Sequence, residues 1–328
     1  MRRAFLIVLV LGIIAAVAIR EVRLHRKLPL ETAYVGARGA TLWNGTAEVR
    51  TSVATLSYGE PVQVYQRDGE HVLVSTKAGV QGWVSAGSLL SIALWQSAEL
   101  LDKATASMPV EGRGRTRARG NLHMRPGRQW EVIATAPGDT PVEMFGRQAV
   151  ANPKRQMRAG SVSGPRMEDW WLVRASMENS EGISGWMLGR LVSLDLPEPL
   201  PEYESSEGIG IVAWFEINRA VDSTGAVKPE YLVMGTRDGE GRPCDFTLVR
   251  VYTWSPVRHR YETAFMERGL CGSLPVETTP AARPGGDARF GFRNAGLNGT
   301  ENRTYEMKLT TVRRIDAGAR VGRKGKRR

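Results

Sequence analysis

The chain has 328 residues, 42% of them hydrophobic, and a formal net charge of +11 from 45 Lys+Arg against 34 Asp+Glu. Its length suits roughly two to three domains, and its composition excludes both a disordered chain and a multi-span membrane protein. With four His and two Cys a multi-ligand zinc site is excluded, so neither metal nor cofactor is expected.

The positive charge sits at the two ends. Residues 1–27 hold Arg2, Arg3, Arg20, Arg23, Arg26 and Lys27 against Glu21. Residues 313–328 hold eight basic side chains against Asp316, which leaves about −1 for residues 28–312. The body is therefore not basic as a whole, and no specific nucleic-acid partner is expected. Arg2 and Arg3 precede an unbroken apolar run from Ala4 to Ile19. As a helix this run spans ~24 Å against a hydrocarbon core of ~30 Å, so it reads as a short single membrane helix with Arg20 snorkelling. It also has the form of a secretory signal, with Ala16-Val17-Ala18 as the cleavage site. Both readings of residues 1–27, anchor or signal, stay open.

An internal repeat follows. Val53 to Val64 and Val132 to Met144 each read as a short strand, a Gly turn (Gly59, Gly138) and an alternating strand. His71-Val72-Leu73-Val74 matches Trp170-Trp171-Leu172-Val173, and Gly82-Trp83-Val84 matches Gly185-Trp186-Met187. Period-two alternation in such short runs suits small barrels. In this order of elements the sequence resembles the bacterial SH3-like domain twice over. The second copy keeps Leu122, Arg125-Pro126-Gly127, Val132-Ile133, Gly138, Trp171-Leu172-Val173 and Gly185-Trp186; the first keeps Val53, Leu56, Gly59, Val62, Val64, Gly82-Trp83-Val84 and Leu89-Leu90. The first departs at its start, where Thr41-Leu42-Trp43-Asn44-Gly45 replaces the usual Arg-x-Gly-Pro. The resemblance covers residues 34–90 and 115–193.

Residues 91–112 read as a helical linker, with Ile92, Trp95 and Leu100 approximating one face. Copy two carries an insertion from Arg147 to Met167, expected as a solvated basic loop containing Arg155 and Arg158. Residues 113–166 hold eleven basic and three acidic side chains, and residues 194–247 hold eleven acidic and four basic, an asymmetry that can help to dock the two regions. Residues 194–207 read as a Pro/Glu linker. Residues 208–316 form a β-rich unit, for which an antiparallel sheet or sandwich is the physical default; Phe246–Trp254 and Tyr261–Met266 read as a hairpin. Residues 317–328 are a basic tail expected to be disordered. The fold class is thus all-β: two small SH3-like barrels, a C-terminal antiparallel β-rich domain and one N-terminal membrane helix.

No phosphate loop, dinucleotide motif or paired-His motif is present. Cys244 and His259 invite a cysteine-hydrolase reading, but no helix start precedes the Cys to activate it. Cys244 and Cys271 are expected as a disulfide if the chain is exported and as buried thiols if it is cytoplasmic. The aromatics are the stronger binding candidates: Trp43, Tyr58 and Tyr65 in copy one, and Trp130 and Trp170 in copy two beside Arg155 and Arg158. Domains like these bind wall peptides or act as spacers in envelope proteins. The resemblance therefore implies a non-enzymatic, single-pass inner-membrane protein with extracytoplasmic domains, or a secreted one after cleavage. Its partners would be peptidoglycan or an envelope protein. A strict count of the basic residues after the apolar run would instead hold the bulk in the cytoplasm. A protein–protein scaffold and an accessory cell-wall hydrolase are the alternatives.

Overall fold

The structure is a computed structural model, and it describes residues 28–152, 166–177, 182–297 and 299–315. The N-terminal segment, the basic tail, and Arg155 and Arg158 lie outside the described residues. Among those described, no helix is long and apolar enough to cross a membrane. The protein is mostly β, with three seven-stranded antiparallel sheets. It divides into two compact units, residues 1–97 and 98–328.

The first sheet comprises β1 (Glu31–Val35), β2 (Ala40–Trp43), β3 (Ser52–Leu56), β4 (Pro61–Asp68), β5 (His71–Thr76), β6 (Gln81–Ser85) and β7 (Leu89–Ser91), in the order β3-β2-β6-β5-β4-β1-β7. The second comprises β8 (Gly112–Thr116), β9 (Gly120–His123), β10 (Val132–Ala136), β11 (Pro141–Ala151), β12 (Met167–Ala175), β13 (Ile183–Leu188) and β14 (Val192–Leu194). Its order, β10-β9-β13-β12-β11-β8-β14, is the same order with every strand replaced by its counterpart. The repeat extends to irregularities. A bulge at Tyr65, between Val64 and Gln66, matches one at Phe145, between Met144 and Gly146. A 3₁₀ turn precedes the last strand of each sheet, at Ala86–Ser88 and Gly189–Leu191.

Alternation explains the cores. In the first sheet Val35, Leu42, Val62, Val64, Val72 and Val74 are buried, and each such side chain contributes about 1.5–3 kcal/mol by leaving water. Leu122, Ile133, Val142, Val173 and Met187 do the same in the second. The Gly-Trp pair has a steric cause. A Cβ on Gly82 would lie 2.7 Å from both Leu42 Cγ and the Trp43 carbonyl, and one on Gly185 would lie 2.8 Å from Leu122 Cβ. Both glycines let β2 and β9 cross closely over β6 and β13, where Trp43 faces Trp83 and His123 faces Trp186. Trp83 and Trp186 are half-buried and Trp171 is buried.

Helix α1 (Ile92–Ala106) occupies the expected linker, but its packing face differs from the expected one. Leu100 is 66% exposed, and Ile92 is also exposed. In the first unit, Trp95 stacks on Tyr34 at 4.9 Å and meets Tyr58 at 5.5 Å. In the second, Asp102 Oδ1 accepts from the Ser184 N–H at 2.9 Å, and Arg174 donates to the Asp102 carbonyl at 2.9 Å.

The Pro/Glu stretch 194–207 is not simply a linker, because its second half is helix α2 (Leu200–Glu207). Leu200 is fully buried, Tyr203 stacks on Tyr252 at 4.7 Å, and Glu207 pairs with Arg250. The third sheet is a meander in chain order: β15 (Gly210–Val221), β16 (Val227–Thr236), β17 (Phe246–Ser255), β18 (Arg260–Thr279), β19 (Ala288–Gly296), β20 (Gly299–Lys308) and β21 (Thr311–Arg314). The expected hairpin is β17–β18, and a further hairpin, β20–β21, occupies the C-terminal run. Cys244 and Cys271 are bonded, with Cα atoms 4.9 Å apart, which ties the approach to β17 onto β18.

The second and third sheets meet through buried polar groups. Arg147 belongs to β11 and not to a solvated loop, so the insertion reading is corrected at that end; its side chain is only 1% exposed. It donates to Asp169 Oδ1 (2.6 Å), Asp245 Oδ1 (2.9 Å), the Arg242 carbonyl (2.6 Å) and the Cys244 carbonyl (3.2 Å). Asp169 also receives Arg242 at 3.2 Å and the Gly241 N–H at 2.9 Å. A second contact runs from the Val276 N–H to Glu111 Oε2 at 3.1 Å. Burial pushes the Glu111 carboxyl up to about 7, the Val276 bond opposes that rise, and the Asp245 charge adds to it.

Candidate functional site

Strand β12 organises the second sheet's polar side. Because successive side chains alternate faces, Glu168 and Trp170 lie opposite Asp169 and Trp171. Asp169 serves the contact with the third sheet, while Glu168 and Trp170 face the connection from β9 to β10. Glu168 takes a bidentate pair from Arg128 (Nε 2.8 Å, Nη2 3.0 Å) and a bond from Arg190 at 3.3 Å. Burial alone would raise the Glu168 pKa. The hydrogen bonds from Arg128, Asn152 and Arg190 outweigh it and hold the carboxyl below its ordinary value, so Glu168 stays ionised.

Beside this pair lies a cleft of about 530 Å³, lined by Arg119, Asn121, His123, Arg128, Trp130 and Trp170, with Val132, Leu188 and Leu191 adding apolar wall. His123 Nδ1 donates to the Trp130 carbonyl at 2.8 Å, since a carbonyl can only accept, which leaves Nε2 as the ring's other polar atom. The His123 ring meets Trp170 edge to face at 5.1 Å. The Arg125 guanidinium lies over Trp130 at 4.6 Å. Arg119 is exposed at the rim and makes no ion pair among the described residues. The cleft therefore offers the Trp130 indole, the His123 imidazole edge and the Arg119 guanidinium to a ligand, with Trp170 backing the His123 ring from within. This composition suits a ligand that joins a ring or sugar face to an anionic group.

The expected binding residues divide accordingly. Trp130 and Trp170 do come together, but Trp170 is only 2% exposed, so it lines the cleft from within and does not surface a groove. Trp43 is half-buried beneath Arg50. Tyr58 is a packing partner of Trp95, and Tyr65 is the half-buried residue of the β4 bulge. His123, Arg119, Asn121 and Arg128 were not anticipated. The signal for His123 was its place in the repeat, opposite the Gly-Trp strand as Trp43 is.

Cys244 carries no thiolate, being bonded to Cys271, so the cysteine-nucleophile reading has no sulfur to act with. No group of acidic, His or Cys side chains suited to hold a metal ion occurs among the described residues.

No family model and no curated protein matches the chain. Among solved structures it is similar to NlpC2 from Trichomonas vaginalis at 10% identity, over 74% of this chain and 98% of that one, with a TM-score of 0.18. A TM-score that low carries no argument about fold or activity.

Proposed function

We propose that the chain is a non-enzymatic, membrane-tethered envelope protein whose two repeats are SH3-like modules that bind peptidoglycan. The observation that carries the reading is the cleft of the second repeat, where Trp130, Trp170 and His123 stand beside Arg119, which makes no ion pair among the described residues. Peptidoglycan supplies both partners this chemistry calls for, sugar rings and peptide carboxylates, in a repeating polymer. The Cys244–Cys271 disulfide supports an oxidising compartment and hence export of the body beyond the membrane.

The test is retention of the full-length protein, in mild detergent, on purified sacculi. Retention above that of a control protein of equal charge is expected, with a loss of up to about tenfold in the Trp130→Ala variant as one aromatic contact goes. Retention no better than the control refutes wall binding and leaves the protein-scaffold alternative. Protease added to spheroplasts should digest the body from outside; protection until lysis would refute the exported orientation.

A further inference from the structure

The exact register of the repeat allows position-by-position comparison of the two copies. Leu73 pairs with Trp83 and Leu172 with Trp186, so His71 occupies in the first sheet the place of Trp170 in the second. Trp43 pairs with Trp83 and His123 with Trp186, so Trp43 and His123 are likewise equivalent. The connection from β2 to β3 has the same length as that from β9 to β10, and each is closed by the same hydrogen bond: Asn44 N–H to the Thr51 carbonyl (3.0 Å) and Met124 N–H to the Glu131 carbonyl (2.9 Å). Arg50 therefore stands where Trp130 does.

These three positions hold His123, Trp130 and Trp170 in the cleft, and Trp43, Arg50 and His71 in the first repeat. The first-repeat trio is also assembled. The Arg50 guanidinium lies 4.7 Å above the Trp43 ring, and its Nη1 donates to His71 Nε2 at 3.2 Å. All three side chains are half-buried. Among the described residues Arg50 has no carboxylate partner, so a partly desolvated cation lies between an indole and an imidazole without a counter-ion. An incoming carboxylate can take the remaining guanidinium N–H groups in a bidentate pair, while the ring or sugar that bears it packs on Trp43.

We propose that Trp43, Arg50 and His71 form a second binding site, for a carboxylate-bearing glycan–peptide fragment, so that each chain takes two such ligands. The aromatic and histidine have exchanged strands between the copies, and the cation has moved from the rim to the centre. The first-repeat site is therefore the more dependent on charge. This inference rests on the peptidoglycan reading.

Calorimetric titration of the full-length protein with soluble muropeptides released from sacculi tests it. Two equivalents are expected for the wild type. Arg50→Gln removes the charge at a half-buried position without an ion pair, and should weaken one equivalent at least tenfold while leaving the other intact. Trp130→Ala should weaken the other equivalent. The site lost in Arg50→Gln should be the one that weakens more as salt rises. One equivalent in the wild type, or two unaltered equivalents in Arg50→Gln with an unchanged melting temperature, overturns the second site and leaves the cleft standing. Absence of binding by the wild type defeats the peptidoglycan reading itself.

Discussion

Arg147 offers the sharpest test of how the second and third sheets are joined. Its side chain is 1% exposed and makes four hydrogen bonds, two to carboxylates and two to carbonyls. Arg147→Met keeps the aliphatic stem and removes the cation. Asp169 then retains Arg242 at 3.2 Å and the Gly241 N–H at 2.9 Å. Asp245 retains only the Leu274 N–H at 2.8 Å on its carboxylate and, among the described residues, no ion pair. The loss thus comes from one stranded carboxylate and two carbonyls without their donor. Breaking a buried pair from one side costs about 3–5 kcal/mol, and each neutral hydrogen bond about 1 kcal/mol. The partial rescue of Asp169 places the expected loss at about 3–4 kcal/mol. Urea unfolding at pH 7, followed by circular dichroism and tryptophan fluorescence, measures it. Arg113→Ala is the control, because Arg113 pairs with Glu143 at 3.2 Å with its side chain 72% exposed, and such pairs are worth about 0–1 kcal/mol. A double-mutant cycle with Asp245→Asn should return a coupling of about 2 kcal/mol. If Arg147→Met proves no more destabilising than the control, or the coupling vanishes, the joint is not held by this network.

Three further outcomes are expected. Reducing the disulfide, or replacing both cysteines by serine, should cost about 3–4 kcal/mol from the loop-closure relation, given the 27-residue separation of Cys244 and Cys271; thermal unfolding with and without reductant reads the difference. Glu111 is raised to about 7, so between pH 4.5 and 7 the folded chain keeps a proton that the unfolded chain releases, and stability should fall as pH rises through that window by at most about 3 kcal/mol. Glu111→Gln should remove that part of the slope and leave the part due to Glu230, which burial also raises to about 7; an unchanged profile in a stability-versus-pH series would count against the assignment. Gly82→Ala should cost about 1–3 kcal/mol through the clash at 2.7 Å with the Trp43 carbonyl, and a neutral substitution would mean that β2 and β6 cross less closely.

The repeat was legible because its evidence is local: alternating apolar runs, a Gly turn and a Gly-Trp strand recur in one order, and the strand order follows them. The β17–β18 hairpin was legible for the same reason. Helix α2 is masked in the sequence because Pro and Glu are also the residues of linkers. Their placement was the better signal, with Pro199 capping the helix, Pro201 in its first turn and Gly208 at its end with φ of 60°. The burial of Trp170 is not legible in the sequence because β12 is buried on both faces, so period-two alternation does not separate inside from outside along it. Arg147 was beyond sequence reasoning altogether. Its partners in the connection between β16 and β17 lie 95 to 98 residues away, and nothing local distinguishes a buried arginine at a strand end from a solvated one in a loop.

The same strand explains why charge composition alone is a poor guide to this molecule. Among the described residues, Arg147 with Asp245 is one ion pair between the basic region 113–166 and the acidic region 194–247. Yet Arg242 and Asp169 pair in the opposite sense at the same joint, so the docking is a matched set of buried ions and not an attraction between two net charges. Exposed charges would be screened over a Debye length of about 8–10 Å, whereas these four are removed from water and need partners in direct contact. Strand β12 puts Asp169 into that joint, Trp170 into the cleft and Glu168 onto the cleft-lining Arg128, within three consecutive residues. The third sheet is therefore more than an appended domain: it holds one face of the strand whose other face carries Trp170 into the cleft.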